Sequence, residues 1–192
     1  RNCIKKKAAL CLLRLYRTNP DILVMDDWNA QLSTLLGSRD LGVLTSVMSL
    51  VLDLTMASPD HFMGLAECVT LILDRLINKR DIPQMYNYYK IPCPWLQIKC
   101  LRWLSIYGPH SFPPQTTQAI ESAIRGILEN SSIVVDNKNN AHHAILIETV
   151  NLVIAWGAKG ENMQSGMREQ CMFFLARFLC TEDQNIKFLG LD

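Results

Sequence analysis

Residues 40–60 read DLGVLTSVMSLVLDLTMASPD. Val43, Val47, Leu50, Val51 and Leu54 fall at i, i+4, i+7, i+8 and i+11, the spacing of one helix face rather than of a strand. Asp40 stands ahead of the run as an N-cap, where its carboxylate can accept an N–H that the first helical turn leaves unbonded. Ser58-Pro59-Asp60 closes the run and opens another, because proline at the first helical position has no N–H to lose. The unit is helix, short turn, helix.

The same unit recurs on both sides. Upstream, Ile4, Ala8, Cys11, Leu12 and Leu15 form one helix face, and Leu10, Leu13 and Tyr16 form a second apolar flank. A helix apolar around so much of its circumference should touch its own partner and both adjacent repeats. Asn19-Pro20-Asp21 ends it, and a second helix is expected from Asp26 or Asp27 through Trp28, Leu32, Leu35 and Leu36 to Gly37. Downstream, residues 81–94 break the rhythm: Pro83, Pro92, Pro94, Tyr86, Tyr88 and Tyr89 show neither helical nor strand periodicity, and an ordered aromatic loop is expected. Helices resume over about 95–106, 114–129, 140–156 and 162–179, with another from Asp183. Ile133-Val134-Val135 is too short to claim a strand.

The helix pairs therefore span about 3–37, 40–80, 94–130 and 140–180, with the start of a further helix at 183–192. Their spacing of roughly 40 to 50 residues is the period of HEAT and armadillo repeats. Ile4-Lys5, Ile98-Lys99 and Ile186-Lys187 each open a helix of the first type, as though one unit were reused every second repeat. The predicted fold is all-α: residues 1–192 form a single stretch of HEAT/armadillo-like alpha-alpha superhelical solenoid.

Composition agrees with this and excludes other classes. Of 192 residues, 49% are hydrophobic and 19% charged, with a formal net charge of +1. Disorder is excluded by so much apolar surface, and a dedicated nucleic-acid binder by the absence of a basic excess. The longest charge-free run, Trp103 to Ile120, is interrupted by prolines and is no transmembrane helix. The seven cysteines have apolar neighbours and no paired ligands at zinc-finger spacing, so buried reduced thiols are expected and no metal site. Arg1 and Asp192 both fall in expected helices, as in a piece of a longer protein.

No cofactor loop, hydrolase elbow or metalloprotease motif is present, and no catalytic residue is assigned. The best nucleophile and base that can be put together are Cys100 and His110, but Cys100 sits on an apolar helix face, where burial keeps a thiol inert. His142 and His143 are adjacent on a helix, point about 100° apart and suit a surface helix start better than a shared ion. Glu148, flanked by Ile147 and Val150, needs a cationic partner from another helix. Lys7, Arg14 and Arg17 lie close to one face with Lys6 beside them, either a solvated face or a contact for acidic lipid or an acidic partner. From Asp40 to Asp74 there are acids but no Lys or Arg, a stretch a basic partner could meet.

The aromatic segment and the helix after it carry a resemblance. Tyr86, Tyr88, Tyr89, Ile91, Pro92, Pro94, Trp95, Leu96, Ile98, Lys99, Leu101, Arg102, Leu104, Tyr107 and Pro109 resemble the corresponding stretch of the adaptins, the large subunits of clathrin adaptor complexes. The run from Lys6 to Arg17, Leu41-Gly42-Val43, and Asn140-Ala141 with Ala144-Ile145-Leu146 and Glu148 agree with it. The Tyr-Tyr and Pro-Trp-Leu elements favour the alpha type, that of the endocytic complex. Trp103, Trp156 and a short, weakly basic connection at 131–139 depart from it and mark a divergent member.

The resemblance implies the middle of a solenoid trunk, a non-enzymatic scaffold without cofactor. Its partners would be the small, medium and beta-type large subunits of a heterotetramer, and phosphoinositide membrane and clathrin through the complete complex. Its location would be the cytosolic face of the plasma membrane at clathrin-coated pits. Tyr86, Tyr88, Tyr89 and Trp95 have the amphipathic character of interface anchors, though they could equally plug the gap between repeats. The other readings open at this point are a coatomer large subunit, a nuclear transport receptor and a helical enzyme using the Cys/His pair.

Overall fold

A computed structural model describes residues 1–22, 28–79, 82–133, 140–158 and 165–191. Asp40 caps as its position predicts, its Oδ1 accepting the Val43 N–H at 2.9 Å at the start of α3 (Leu41–Ala57). Before it come α1 (Asn2–Thr18), a single 3₁₀ turn at Pro20–Ile22, and α2 (Trp28–Leu36). Pro59 opens α4 (Pro59–Phe62), but the helix tightens to 3₁₀ at Met63–Leu65, around Gly64, before continuing as α5 (Ala66–Asp74) and a π-helical turn at Arg75–Lys79. After the aromatic segment follow α6 (Pro94–Ile106), α7 (Pro114–Ile133), α8 (Asn140–Ala158), α9 (Ser165–Cys180) and α10 (Gln184–Leu191).

The chain zigzags between two layers. Helices α1, α3, α6, α8 and α10 stack side by side in one, and α2, α5, α7 and α9 in the other. This is the solenoid that the helix-turn-helix unit predicts: neighbours touch within each layer, and the layers meet chiefly where one pair joins the next, at α2–α3, α5–α6, α7–α8 and α9–α10. One continuous apolar core runs between the layers from Ala9 to Ile186. The three Ile-Lys echoes fall on α1, α6 and α10, all of the same layer.

Two expectations are corrected. In α1 the buried residues are Ala9, Leu13 and Tyr16, whereas Ile4, Ala8, Cys11 and Leu15 of the predicted face are exposed. Both flanks are apolar, and the stripe packed on α3 takes Leu13 and Tyr16 from the second, with Leu12 half-buried at its edge and Leu10 left exposed. The cysteines also divide: Cys93, Cys100 and Cys171 are buried, Cys68 is half-buried, and Cys3, Cys11 and Cys180 are exposed, all as free thiols. Apolar neighbours in sequence belong to several helix faces, so they do not fix which face a thiol occupies. Residues 26–27, 81, 134–139 and 162–164, which carry parts of the expected helix starts and connections, lie outside the described residues.

Candidate interaction surface

The aromatic segment is a small hairpin rather than a plain loop. A 3₁₀ turn at Gln84–Tyr86 leads into β1 (Asn87–Tyr88), which pairs antiparallel with β2 (Ile91–Pro92). The two residues between the strands, Tyr89 and Lys90, have φ of 47° and 68°. A two-residue hairpin turn of the mirror-image type demands positive φ at both positions, normally met by Asn-Gly. Tyrosine and lysine hold it at a cost of order 1 kcal/mol each, and such strain concentrates where a side chain must be displayed. Cys93 adds a third left-handed residue, φ 42°, at the junction with α6. Its N–H donates to the Tyr86 carbonyl at 2.9 Å, and the buried Gln97 donates through Nε2 to the Pro92 carbonyl at 2.6 Å, so the hairpin is tied to the helix that follows.

The four aromatic residues separate into two roles. Tyr86 turns inward: a Cβ at Gly42 of α3 would meet both the Lys6 Nζ, at 2.5 Å, and the Tyr86 hydroxyl, at 3.1 Å, so glycine leaves room for both groups. Tyr88, Tyr89 and Trp95 face outward at 46%, 77% and 53% exposure. Tyr88 meets Tyr89 edge-on with centroids 4.7 Å apart and lies 5.9 Å from Trp95. Met85, at 85% exposure, stands on the same hairpin. Met85 carries no periodicity signal, and only its neighbourhood to the tyrosines could have drawn attention to it.

The two charge features of the sequence meet each other. Lys6 pairs with Asp40 at 3.0 Å, and Asn2 donates to the same carboxylate at 3.1 Å. Burial would raise the Asp40 carboxyl, but the Val43 N–H, Lys6 and Asn2 together hold it below its ordinary value. Arg17 grips Asp53 through both Nε and Nη2, the latter at 3.1 Å. Two of the five acids of the acidic stretch, Asp40 and Asp53, thus face α1, and Lys7 and Arg14 remain outward. Farther along, Arg102 holds Glu148 through Nε at 2.6 Å and Nη2 at 2.5 Å, the cationic partner that Glu148 required.

Cys100 is fully buried, and burial pushes its thiol far up from the ordinary range. His110 sits exposed on the 3₁₀ turn Pro109–Ser111. Among the described residues no group of three or more His, Cys, Asp or Glu could hold a metal ion. His142 and His143 are half-buried instead of lying on the surface; burial depresses both, and His143 packs edge-on against Phe178 at 5.7 Å. No helix of the described residues is long and apolar enough to cross a membrane.

The model of the adaptin N terminal region matches residues 1–192. The chain belongs to the adaptin family. The adaptin is 43% identical over 194 residues to the AP-2 complex subunit alpha-1 of Arabidopsis thaliana, an alignment covering 100% of this chain and 18% of that protein. It is 30% identical over 192 residues to the AP-2 complex subunit alpha-2 of Dictyostelium discoideum, covering 98% of this chain and 19% of the relative. The AP-1 complex subunit gamma of Dictyostelium discoideum matches at 29% over 192 residues, 98% of this chain and 20% of that subunit. This adaptin thus spans about a fifth of the length of the curated relatives it matches. These relatives are subunits of AP-2 and AP-1 complexes, and the full burial of Cys100 argues against a Cys100–His110 nucleophile pair.

Proposed function

We propose that the chain is part of the solenoid trunk of an alpha-type large subunit in a clathrin adaptor complex, supporting clathrin-mediated endocytosis and vesicle-mediated protein transport. The single observation that carries the reading is the 43% identity to an alpha subunit sustained across the whole chain. In this role the chain is a scaffold. It holds the small, medium and beta-type large subunits as a heterotetramer on the cytosolic face of the plasma membrane at coated pits, and the complete complex binds phosphoinositide membrane and clathrin. Tyr88, Tyr89 and Trp95 are the contact for another subunit, and Tyr86 is a packing residue beneath them. The exposed apolar side chains at the two ends of the stack, Ile4, Leu10 and Leu15 on α1 and Phe188 and Leu191 on α10, suit burial by further repeats.

Affinity capture with the full-length protein from cytosol should recover a beta-type large subunit, a medium subunit and a small subunit. Recovery of coatomer or of nuclear transport cargo in their place would overturn the reading.

Membrane contact by the basic helix narrows to Lys7 and Arg14, because Lys6 and Arg17 are engaged by α3. Replacing both with Ala in the assembled complex should weaken binding to phosphoinositide vesicles by a few-fold at low salt, and by less as salt screens the contact. Unchanged binding at low salt would assign the two residues to an ordinary solvated face.

A further inference from the structure

On α6, Trp95, Lys99, Arg102 and Ile106 stand at i, i+4, i+7 and i+11, so the aromatic patch continues along one helix face into two cations. Beside them lies an open groove of about 480 Å³ whose lining includes Arg17, Ser49, Asp53, Lys99, Arg102 and Ser105. The charges there do not cancel. Arg17 is committed to Asp53 and Arg102 to Glu148, while Lys99 makes no ion pair among the described residues. Burial depresses the Lys99 ammonium below its ordinary value, and the field of Arg102 adds to this, with Asp53 pulling weakly the other way. The two serines use their protons on backbone, Ser49 on the Thr45 carbonyl at 3.0 Å and Ser105 on the Arg102 carbonyl at 2.8 Å. Lys99 is therefore the cation of this groove that has no carboxylate partner among the described residues.

A half-buried cation that is repelled by its neighbours and has no counter-ion gains most from an incoming carboxylate, since the desolvation cost is already largely spent. We propose that Lys99 seats an acidic side chain of the protein partner that docks on Tyr88, Tyr89 and Trp95. The inference rests on the subunit-contact reading of that patch. Trp95 and Lys99 are neighbours one turn apart, about 6 Å along the helix, so a partner element crossing the indole carries its next residue over the ammonium. The aromatic rings supply buried area, and the Lys99 contact sets the register and rejects a partner with a basic residue at that point.

The test uses adaptor complex assembled with the full-length subunit. Lys99→Glu should lower retention of the partner subunits at low salt about tenfold or more, and Lys99→Met, which keeps the apolar stem, by a smaller factor. The difference between Lys99→Met and wild type should shrink as salt rises. In the wild-type protein, competitive acylation read by mass spectrometry should label Lys99 readily in the free subunit and at least several-fold less in the complex. That readout needs no variant and is immune to misfolding.

Equal labelling in both states overturns the proposal. So do equal, salt-independent losses with Met and Glu, which would mark a packing role. Loss of assembly on replacing Tyr88 and Tyr89 with Ala, but none with either Lys99 variant, overturns the acidic seat and leaves the aromatic interface standing. Loss with the Lys99 variants but none with the tyrosine pair overturns the aromatic interface while supporting the acidic contact.

Discussion

Trp103→Ala should destabilise the solenoid by about 3–5 kcal/mol, the largest single-residue effect expected in this chain. Trp103 is fully buried, and its Nε1–H donates to Thr55 Oγ1 at 2.8 Å across the α3–α6 contact. Its ring lies 4.8 Å from Tyr107 and 6.5 Å from Phe112, and Phe112 lies 6.4 Å from Trp156, itself fully buried on α8. An aromatic column thus runs from α6 to α8, with Tyr107 donating to the Pro59 carbonyl at 2.7 Å at its edge. Alanine would open a cavity that the two neighbouring rings, Tyr107 and Phe112, cannot fill without leaving their own packing. It would also strip a donor from the fully buried Thr55. Trp103→Phe separates the two effects: it keeps most of the volume and loses the hydrogen bond, and should cost about 1–3 kcal/mol. Urea unfolding followed by far-ultraviolet circular dichroism measures both. A loss under about 1 kcal/mol for Trp103→Ala would show that the column does not hold this seam.

The second large effect should appear in assembly rather than in folding. Replacing Tyr88 and Tyr89 together with Ala removes two exposed rings and leaves Tyr86, the Gln97 clamp and the apolar core in place. Stability should change by no more than about 0.5 kcal/mol, the ordinary range for exposed sites. As central aromatic anchors the pair should carry at least about 2 kcal/mol of binding, so co-purification of the partner subunit should fall thirtyfold or more. A drop in melting temperature with no separate loss of partner would sink the interface reading and return the tyrosines to a packing role. Tyr86→Ala is the internal contrast. It should lower stability, because the Tyr86 hydroxyl and the Lys6 ammonium converge over Gly42.

How much of this was legible in the sequence depended on distance along the chain. Helix starts and stops rest on local chemistry, and Asp40, Pro59 and Asp183 act where their neighbours said they would; the Asp183 Oδ1 accepts the Asn185 N–H at 2.8 Å ahead of α10. The hairpin was hidden because strands of two residues are shorter than one period of any pattern, and its turn uses Tyr89-Lys90 where Asn-Gly would have announced it. On α1, periodicity showed two apolar flanks but carried no information about which one α3 would cover. The basic helix, open to a solvated face or an acidic contact, and the acidic stretch, open to a basic partner, are each visible in the sequence; only the fold brings Lys6 to Asp40 and Arg17 to Asp53. Of the aromatic site, the members were legible and the division between Tyr86 and the other three was not, since it depends on the direction of a turn with positive φ.

The seams between helices of the first layer are fastened in two different ways. From α1 to α3 and from α6 to α8 the ties include surface ion pairs, Lys6–Asp40, Arg17–Asp53 and Arg102–Glu148. From α3 to α6 they are buried hydrogen bonds from Trp103 and Tyr107 to residues of α3 and α4. Ionic strength weakens the first kind and leaves the second untouched. Raising salt therefore loosens one tie at each of the α1–α3 and α6–α8 seams, the latter also held by the buried Trp156 Nε1–H donating to the Leu104 carbonyl at 3.4 Å, and spares the α3–α6 seam next to the hairpin.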